Sequence, residues 1–220
     1  MSASLTGSRT RTRSRSRILV FSAAPAVGAG VGVLGPLLIN ATHPVGHAVH
    51  LVLSAGWSWA ALAFCVGLAR KSRAESVVLA AASLVTAVVA YYLTKLGQGA
   101  YLTLDLGDPA GATPHVSWSD FASKTLSWCV VACVTGPVLG LAGNLARNPG
   151  LRGLPFRMLV PLLAVVEMSE RLRVESPLQG PVVGATWTVV RLVAVAVLVA
   201  LAGRAVRAWR LRPSAGQADE

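Results

Sequence analysis

The sequence predicts an all-α protein: a polytopic bundle of six transmembrane helices with both termini in the cytoplasm. Three observations predict it. Of the 220 residues, 54% are hydrophobic and only 13% charged, with a mean hydropathy of +0.60, whereas a water-soluble domain carries about 25% charged residues. Several apolar runs approach 20 residues, and at a rise of about 1.5 Å per residue such a run covers the ~30 Å hydrocarbon layer of a bilayer. The basic residues gather at the ends of these runs, where they orient membrane helices.

Taken in order, residues 1–17 form a polar tail rich in Ser and Thr, with arginine at positions 9, 11, 13, 15 and 17. It lacks apolar periodicity and reads as a disordered tail held at the membrane by charge. It also has the character of a signal-peptide n-region, with cleavage near Ser22–Ala26. The apolar run continues to Asn40, longer than such a signal needs, and favours a retained first span at 18–40. That span is crowded with Gly28, Gly30, Gly32 and Gly35 and interrupted by Pro25 and Pro36. No strand precedes the glycines and no acidic residue follows at the spacing of a dinucleotide-binding loop. Close helix packing through Gly28 and Gly32 is the better account.

The loop to His50 has no Lys or Arg and carries His43, His47 and His50. The second span is expected at 51–69, the basic turn Arg70, Lys71 and Arg73 follows, and the third span occupies 76–94, ending in Tyr91-Tyr92. Residues 95–120 form the longest loop, with Asp105, Asp108, His115 and Trp118 and room for a re-entrant piece. The fourth span, 126–146, contains Gly136-Pro137 and places Gly136, Gly140 and Gly143 on one side, where a second helix approaches closely. Arg147, Arg152 and Arg157 form the next basic group. The fifth span, 154–172, is the weakest, because Arg157 enters it early and Glu167 lies inside. The sixth, 182–203, contains Arg191. The membrane domain thus covers 18–208, and 209–220 is a polar tail. Fifteen of the 20 basic residues fall on one side of six alternating spans, which puts that side in the cytoplasm of a multi-pass cell-membrane protein.

The net charge of +11 does not point to nucleic acid, because the basic clusters are not interleaved with stacking aromatics. Anionic lipid headgroups are the partners that such charge implies, together with a membrane protein partner or a second copy. Cys65, Cys129 and Cys133 all sit in apolar runs and define no disulfide framework or redox pair.

Two constellations are candidates for chemistry. A mid-span arginine costs about 2.5–3.5 kcal/mol on insertion scales, so Arg191 calls for compensation, and Glu167 on the neighbouring span is the natural partner for an intramembrane ion pair. The alternative is that Arg191 snorkels to the interface while Glu167 pairs with Arg171, one turn along its own helix. His43, His47 and His50 would share a helix face at metal-ligand spacing, with Asp105 or Asp108 to complete the set; against it, Pro44 and Gly46 weaken that helix. No nucleophile–base set, zinc-protease motif or phosphate loop is present, so neither an enzyme nor a cofactor is expected. The Gly-Pro pairs at Pro36 and Pro137 open two halves of three spans each, a faint inverted-repeat pattern.

The segment Trp57–Gly67 (WSWAALAFCVG), Tyr91-Tyr92, the run from Thr135-Gly136-Pro137 to Gly143, and Glu167 resemble the pattern of a family of small bacterial integral membrane proteins of unknown function, of the GC-rich Gram-positive bacteria. The resemblance covers about 18–207 and implies a membrane bundle, with no reaction, substrate or cofactor attached. Sparse membrane charge and glycine-lined helix faces point instead to a non-enzymatic membrane protein that packs with or regulates a membrane partner. The alternative is a small transporter or channel built on Arg191 and Glu167.

Overall fold

The computed structural model describes residues 23–41, 43–103 and 114–210, and helices take up 84% of them. In chain order they are α1 (Ala23–Leu37), α2 (Pro44–Ser54), α3 (Gly56–Leu68), α4 (Arg73–Gly97), α5 (Trp118–Leu145), α6 (Leu154–Val174), the single turn α7 (Ser176–Gln179) and α8 (Pro181–Arg210). A 3₁₀ turn at Gly150–Arg152 precedes α6, and a two-residue antiparallel pair, Leu102–Thr103 with His115–Val116, closes the loop before α5. The basic residues of the 1–17 tail, Asp105 and Asp108, and the last ten residues lie outside the described residues.

Three helices, α4, α5 and α8, are long and apolar enough to cross a membrane, and a fourth crossing follows if α2 and α3 count as one bent span. This differs from six straight spans in two ways. The second span is not continuous, because α2 and α3 meet at Ala55 with a 66° bend. The described part of α1 is short, and α6 carries Arg157, Glu167, Glu170, Arg171 and Arg173 within its 21 residues. Helix boundaries also extend past the apolar runs. α5 begins at Trp118, ahead of position 126, because Ser117 and Asp120 hold its first turn through an Oγ–carboxylate hydrogen bond of 2.8 Å. Pro137 lies inside α5, which runs through it unbroken; neither Gly-Pro pair marks the break.

Lipid tails are as apolar as leucine, so helices in a membrane associate through close van der Waals packing rather than through water exclusion. Glycine supplies that packing here. A Cβ on Gly28 would overlap the carbonyl oxygen of Ser83, and one on Gly32 that of Ala87, so α1 lies directly on the backbone of α4. Gly136 and Gly140 admit Ala80, Ala81 and Ser76 of α4, while Gly143 admits Phe64 and Leu68 of α3. Gly67 of α3 answers with the same contact against Gly140, one that the sequence reading did not single out. The small-residue core so formed is Ala63, Ala80, Leu84, Val88 and Ala132. A second core joins the other helices: Ala55, Met168, Val183 and Trp187, packed by Leu51, Trp57 and Leu172. α5 thus packs on α3 and α4, whereas α6 packs mainly on α8, and α3 touches both groups.

At the arginine-rich end the carbonyls that terminate α3 and α5 are individually capped. Asn144 Nδ2 donates to the Arg70 oxygen at 2.8 Å and to Ser76 Oγ at 3.1 Å. Arg147 reaches the Leu68 and Arg70 carbonyls, and Arg157 those of Ala146 and Asn148 at 2.8 and 2.9 Å. Cations at helix C-termini also offset the negative end of the helix dipole.

The glycine contacts predict an asymmetry within α1. Gly28→Ala must push α1 off α4 and should destabilise the protein by about 1–3 kcal/mol, the scale of overpacking. Gly30→Ala meets nothing within 4 Å and should be neutral or stabilising by up to about 1 kcal/mol through helix propensity. Thermal unfolding in detergent separates the two, and equal effects would contradict the packing.

Candidate functional site

The break at Ala55 sets up the site. Ala55 has extended backbone (φ −77°, ψ 142°), so the first amides of α3, Gly56 and Trp57, have no carbonyl one turn back, while at the end of α2 Ala55 N still donates to the Val52 oxygen at 3.3 Å. In hydrocarbon each such group costs several kcal/mol if left alone. The carbonyls are met locally. Trp59 Nε1 donates to the Leu53 oxygen at 2.9 Å, and Ser58 Oγ to the Ala55 oxygen at 2.6 Å. The amides are met from across the bundle: Gly56 N donates to Glu167 Oε1 at 2.8 Å and Trp57 N to Glu167 Oε2 at 2.7 Å. A carboxylate at a helix N-terminus is favoured by the dipole as well as by the hydrogen bonds.

Glu167 is held in turn by its own helix. Arg171 Nε donates to Glu167 Oε1 at 3.0 Å, and Arg171 Nη1 to Glu175 Oε1 at 2.8 Å. The guanidinium also lies over the Trp187 ring, 5.1 Å from its centroid, and Trp187 is fully buried. Two charges one turn apart on α6, Glu175 just past its end and one indole of α8 therefore fix the N-terminus of α3. The side chains of Glu167 and Arg171 remain 25% and 29% exposed.

That exposure is toward a cleft. Where α5 and α6 part, a cavity of about 770 Å³ opens along the flank of the bundle. Ala60, Leu84, Val88 and Ala132 line it from α3, α4 and α5; Val131, Val134, Thr135 and Val138 of α5 stand on one side and Leu163 of α6 on the other. Val134 and Val138, each 64% exposed, keep it open laterally. Trp59, Tyr91, Tyr92 and Trp128 give it an aromatic end, and Glu167 and Arg171 are its charged lining. Trp59 and Tyr91 pack edge to face at 5.9 Å, Tyr91 and Tyr92 at 5.3 Å. The volume is that of a pocket for a small organic molecule, and the mix of apolar wall and few placed polar groups is typical of one.

The two constellations expected from the sequence come out differently. Glu167 is at the site, but it is bound by Arg171, Gly56 and Trp57, and no carboxylate among the described residues lies within 4.0 Å of Arg191. The Arg191–Glu167 pair is therefore not formed. The local pairing prevails because Arg171 reaches Glu167 along one helix, with no cost of joining two. His43 caps α2, its Nδ1 accepting from Val45 N at 3.3 Å. His50 Nδ1 lies 2.7 Å from the Gly35 carbonyl oxygen, so that ring tethers α1 to α2. His47 and His50 rings are 6.3 Å apart. Among the described residues no three His, Cys, Asp or Glu side chains come together as a metal site. Cys65, Cys129 and Cys133 are free thiols.

The sequence reading missed the break, Trp187 under Arg171, and the cleft itself. Ser54-Ala55-Gly56, three small residues early in the expected second span, was the available signal for the break. The segments that carry the family resemblance (Trp57–Gly67, Tyr91-Tyr92, Thr135–Gly143 and Glu167) all contribute residues to the cleft or its walls. Taken together, fold and site define an all-helical protein with several bilayer-length helices and a laterally open cleft. No family model, no curated protein and no solved structure matches the chain.

Glu167→Ala strips the partner from two backbone amides and one of two carboxylates from Arg171, and should destabilise the protein by about 1–3 kcal/mol. Arg191→Leu removes a charge that no carboxylate among the described residues pairs with and should leave unfolding unchanged or raise its midpoint. Unfolding of both variants and of the double variant in detergent checks this; a coupling above about 1 kcal/mol between the two positions would restore the discarded pair.

Proposed function

We propose that this is a non-enzymatic, multi-pass protein of the cell membrane that works by receiving a membrane-embedded hydrophobic partner in the cleft between α5 and α6. The cleft carries the reading: an apolar, laterally open volume of about 770 Å³ whose lining charges are already paired with one another. Paired charges organise a binding wall, whereas acid–base chemistry needs a group free to exchange its proton. Six crossings, with α2–α3 as one interrupted span and α6 as another, are supported by the length of α6, whose 21 residues rise about 31 Å. Its charges from Glu167 onward gather in the last two turns, near the interface. Both termini in the cytoplasm are supported by the arginine clusters at 70–73, 147–157 and 204–210, all at one end of the bundle. Anionic headgroups are the lipids that this end attracts. The likeness to the bacterial membrane family is part of the same proposal.

The orientation is tested by cysteine labelling in cells: positions beside Asp108 should react with an impermeant reagent from outside and positions beside Arg152 only after lysis. The opposite pattern overturns it.

The cleft is tested by fluorescence. In vesicles of phosphatidylcholine with brominated acyl chains, the part of the emission due to Trp59 (wild type minus Trp59→Phe) should be quenched. Filling the cleft with Ala60→Leu plus Ala132→Leu should remove most of that quenching. Unquenched Trp59 would mean a closed cleft. A transport reading draws on the interrupted helix, since half-helix N-termini hold ligands in transporters; it requires proton or solute flux in the same vesicles that Glu167→Ala abolishes, whereas the binding reading expects tight vesicles.

A further inference from the structure

The polar end of the cleft tells which membrane molecule suits it, and this step rests on the binding reading above. The cleft runs along α5 from Trp128 to Leu139, which at about 1.5 Å per residue is roughly 16 Å, half of the ~30 Å hydrocarbon layer. A chain lying in it therefore spans one leaflet. Arg171 stands about 25 Å along α6 from Leu154 by the same rise, which puts the charged lining level with the headgroup boundary of the leaflet that the cleft occupies. The geometry matches one lipid, its acyl chain against Val131, Val134 and Val138 and its head beside Glu167 and Arg171.

Charge complementarity selects the head. Arg171 is already bound by two carboxylates, Glu167 and Glu175, so an anionic head finds no unmatched cation on it. A second cation, Lys95, stands one turn along α4 from the cleft-lining Tyr91, its Nζ 5.5 Å from that ring's centroid. Cations and anions are thus matched at the mouth, and a head with a net charge would stand uncompensated at the edge of hydrocarbon. A net-neutral head that carries both signs is accommodated: its phosphate beside Arg171 or Lys95, its ammonium beside the carboxylates and over the aromatic faces. The Lys95–Tyr91 contact is an ammonium on such a face within this structure. We propose that the cleft is a binding site for a single zwitterionic phospholipid, with an ammonium-bearing head, in preference to the anionic lipids drawn to the arginine-rich end.

The test uses the full chain in vesicles of equal parts phosphatidylethanolamine and phosphatidylglycerol. In one preparation only the first lipid has brominated chains, in the other only the second, so the membranes differ solely in where the bromine resides. Quenching of Trp59, taken as the difference from Trp59→Phe, should be about threefold stronger with bromine on phosphatidylethanolamine, the scale of a half-exposed charge interaction. Glu175→Gln, which leaves the Glu167 hydrogen bonds to α3 in place, should free part of the Arg171 charge and move the ratio toward one. Equal quenching by both lipids, or stronger quenching by phosphatidylglycerol, overturns the headgroup assignment and leaves the cleft reading standing. Absence of Trp59 quenching from either lipid overturns both.

Discussion

A single carboxylate, Glu167, holds the interrupted helix in place. Two backbone amides at the start of α3 have no helical carbonyl of their own one turn back, and a helix start left without acceptors is costly wherever water is scarce. Glu167 accepts from both, and in doing so ties α3, which belongs with α4 and α5, to α6, which belongs with α8. The ion pair with Arg171 keeps that carboxylate aimed, and Trp187 backs the guanidinium with an aromatic face. A buried ion pair taken by itself contributes little net stability. Here it is coupled to satisfying backbone groups, so the relevant comparison is with leaving two amides unpaired.

The cleft follows from the opposite tendency. Gly136, Gly140 and Gly143 draw α5 onto α3 and α4 until backbones touch, and the large side chains of that helix are left on its other flank. α6 cannot follow, because Met168 and Ala164 pack it elsewhere and its charged turns hold it to α3 at the level of Gly56. One end of the gap is pinned by Glu167 and one side is pulled away by glycine. Cavity and capping are thus two outcomes of the same arrangement.

How far the residues foretold this differs by feature. Helix identity and the approach through Gly28, Gly32, Gly136, Gly140 and Gly143 were legible, because hydropathy and small-residue spacing are local properties of one helix. The bend at Ala55 was not: an apolar run carries no mark of where it breaks when the partner that makes the break tolerable, Glu167, is 111 residues away. The choice of Arg171 over Arg191 turned on the same kind of information. Both arginines were visible, but which of them reaches Glu167 depends on the rotation of α8 about its axis, and the buried stripe Val183–Trp187–Ala194 sets that. The cleft was illegible for a further reason, since the sparse contact between α5 and α6 leaves no residue pattern in either.

The arginines at the other end have a double character that links fold to orientation. Helices α3, α5 and α8 all finish there, and a helix C-terminus is a concentration of unpaired carbonyls with negative potential. Arg147 and Arg157 donate to those carbonyls directly, so they stabilise helix ends at the same time as they supply the charge bias on which the proposed orientation rests. The opposite end has no such surplus: there α3 begins with its amides on Glu167, and the cations Arg171 and Lys95 are taken up by carboxylates and an aromatic ring. One end is therefore built around excess positive charge and the other around matched charge. The two ends thus differ in electrostatics within a single chain, and the cleft opens toward the matched end, where Glu167 and Arg171 line it.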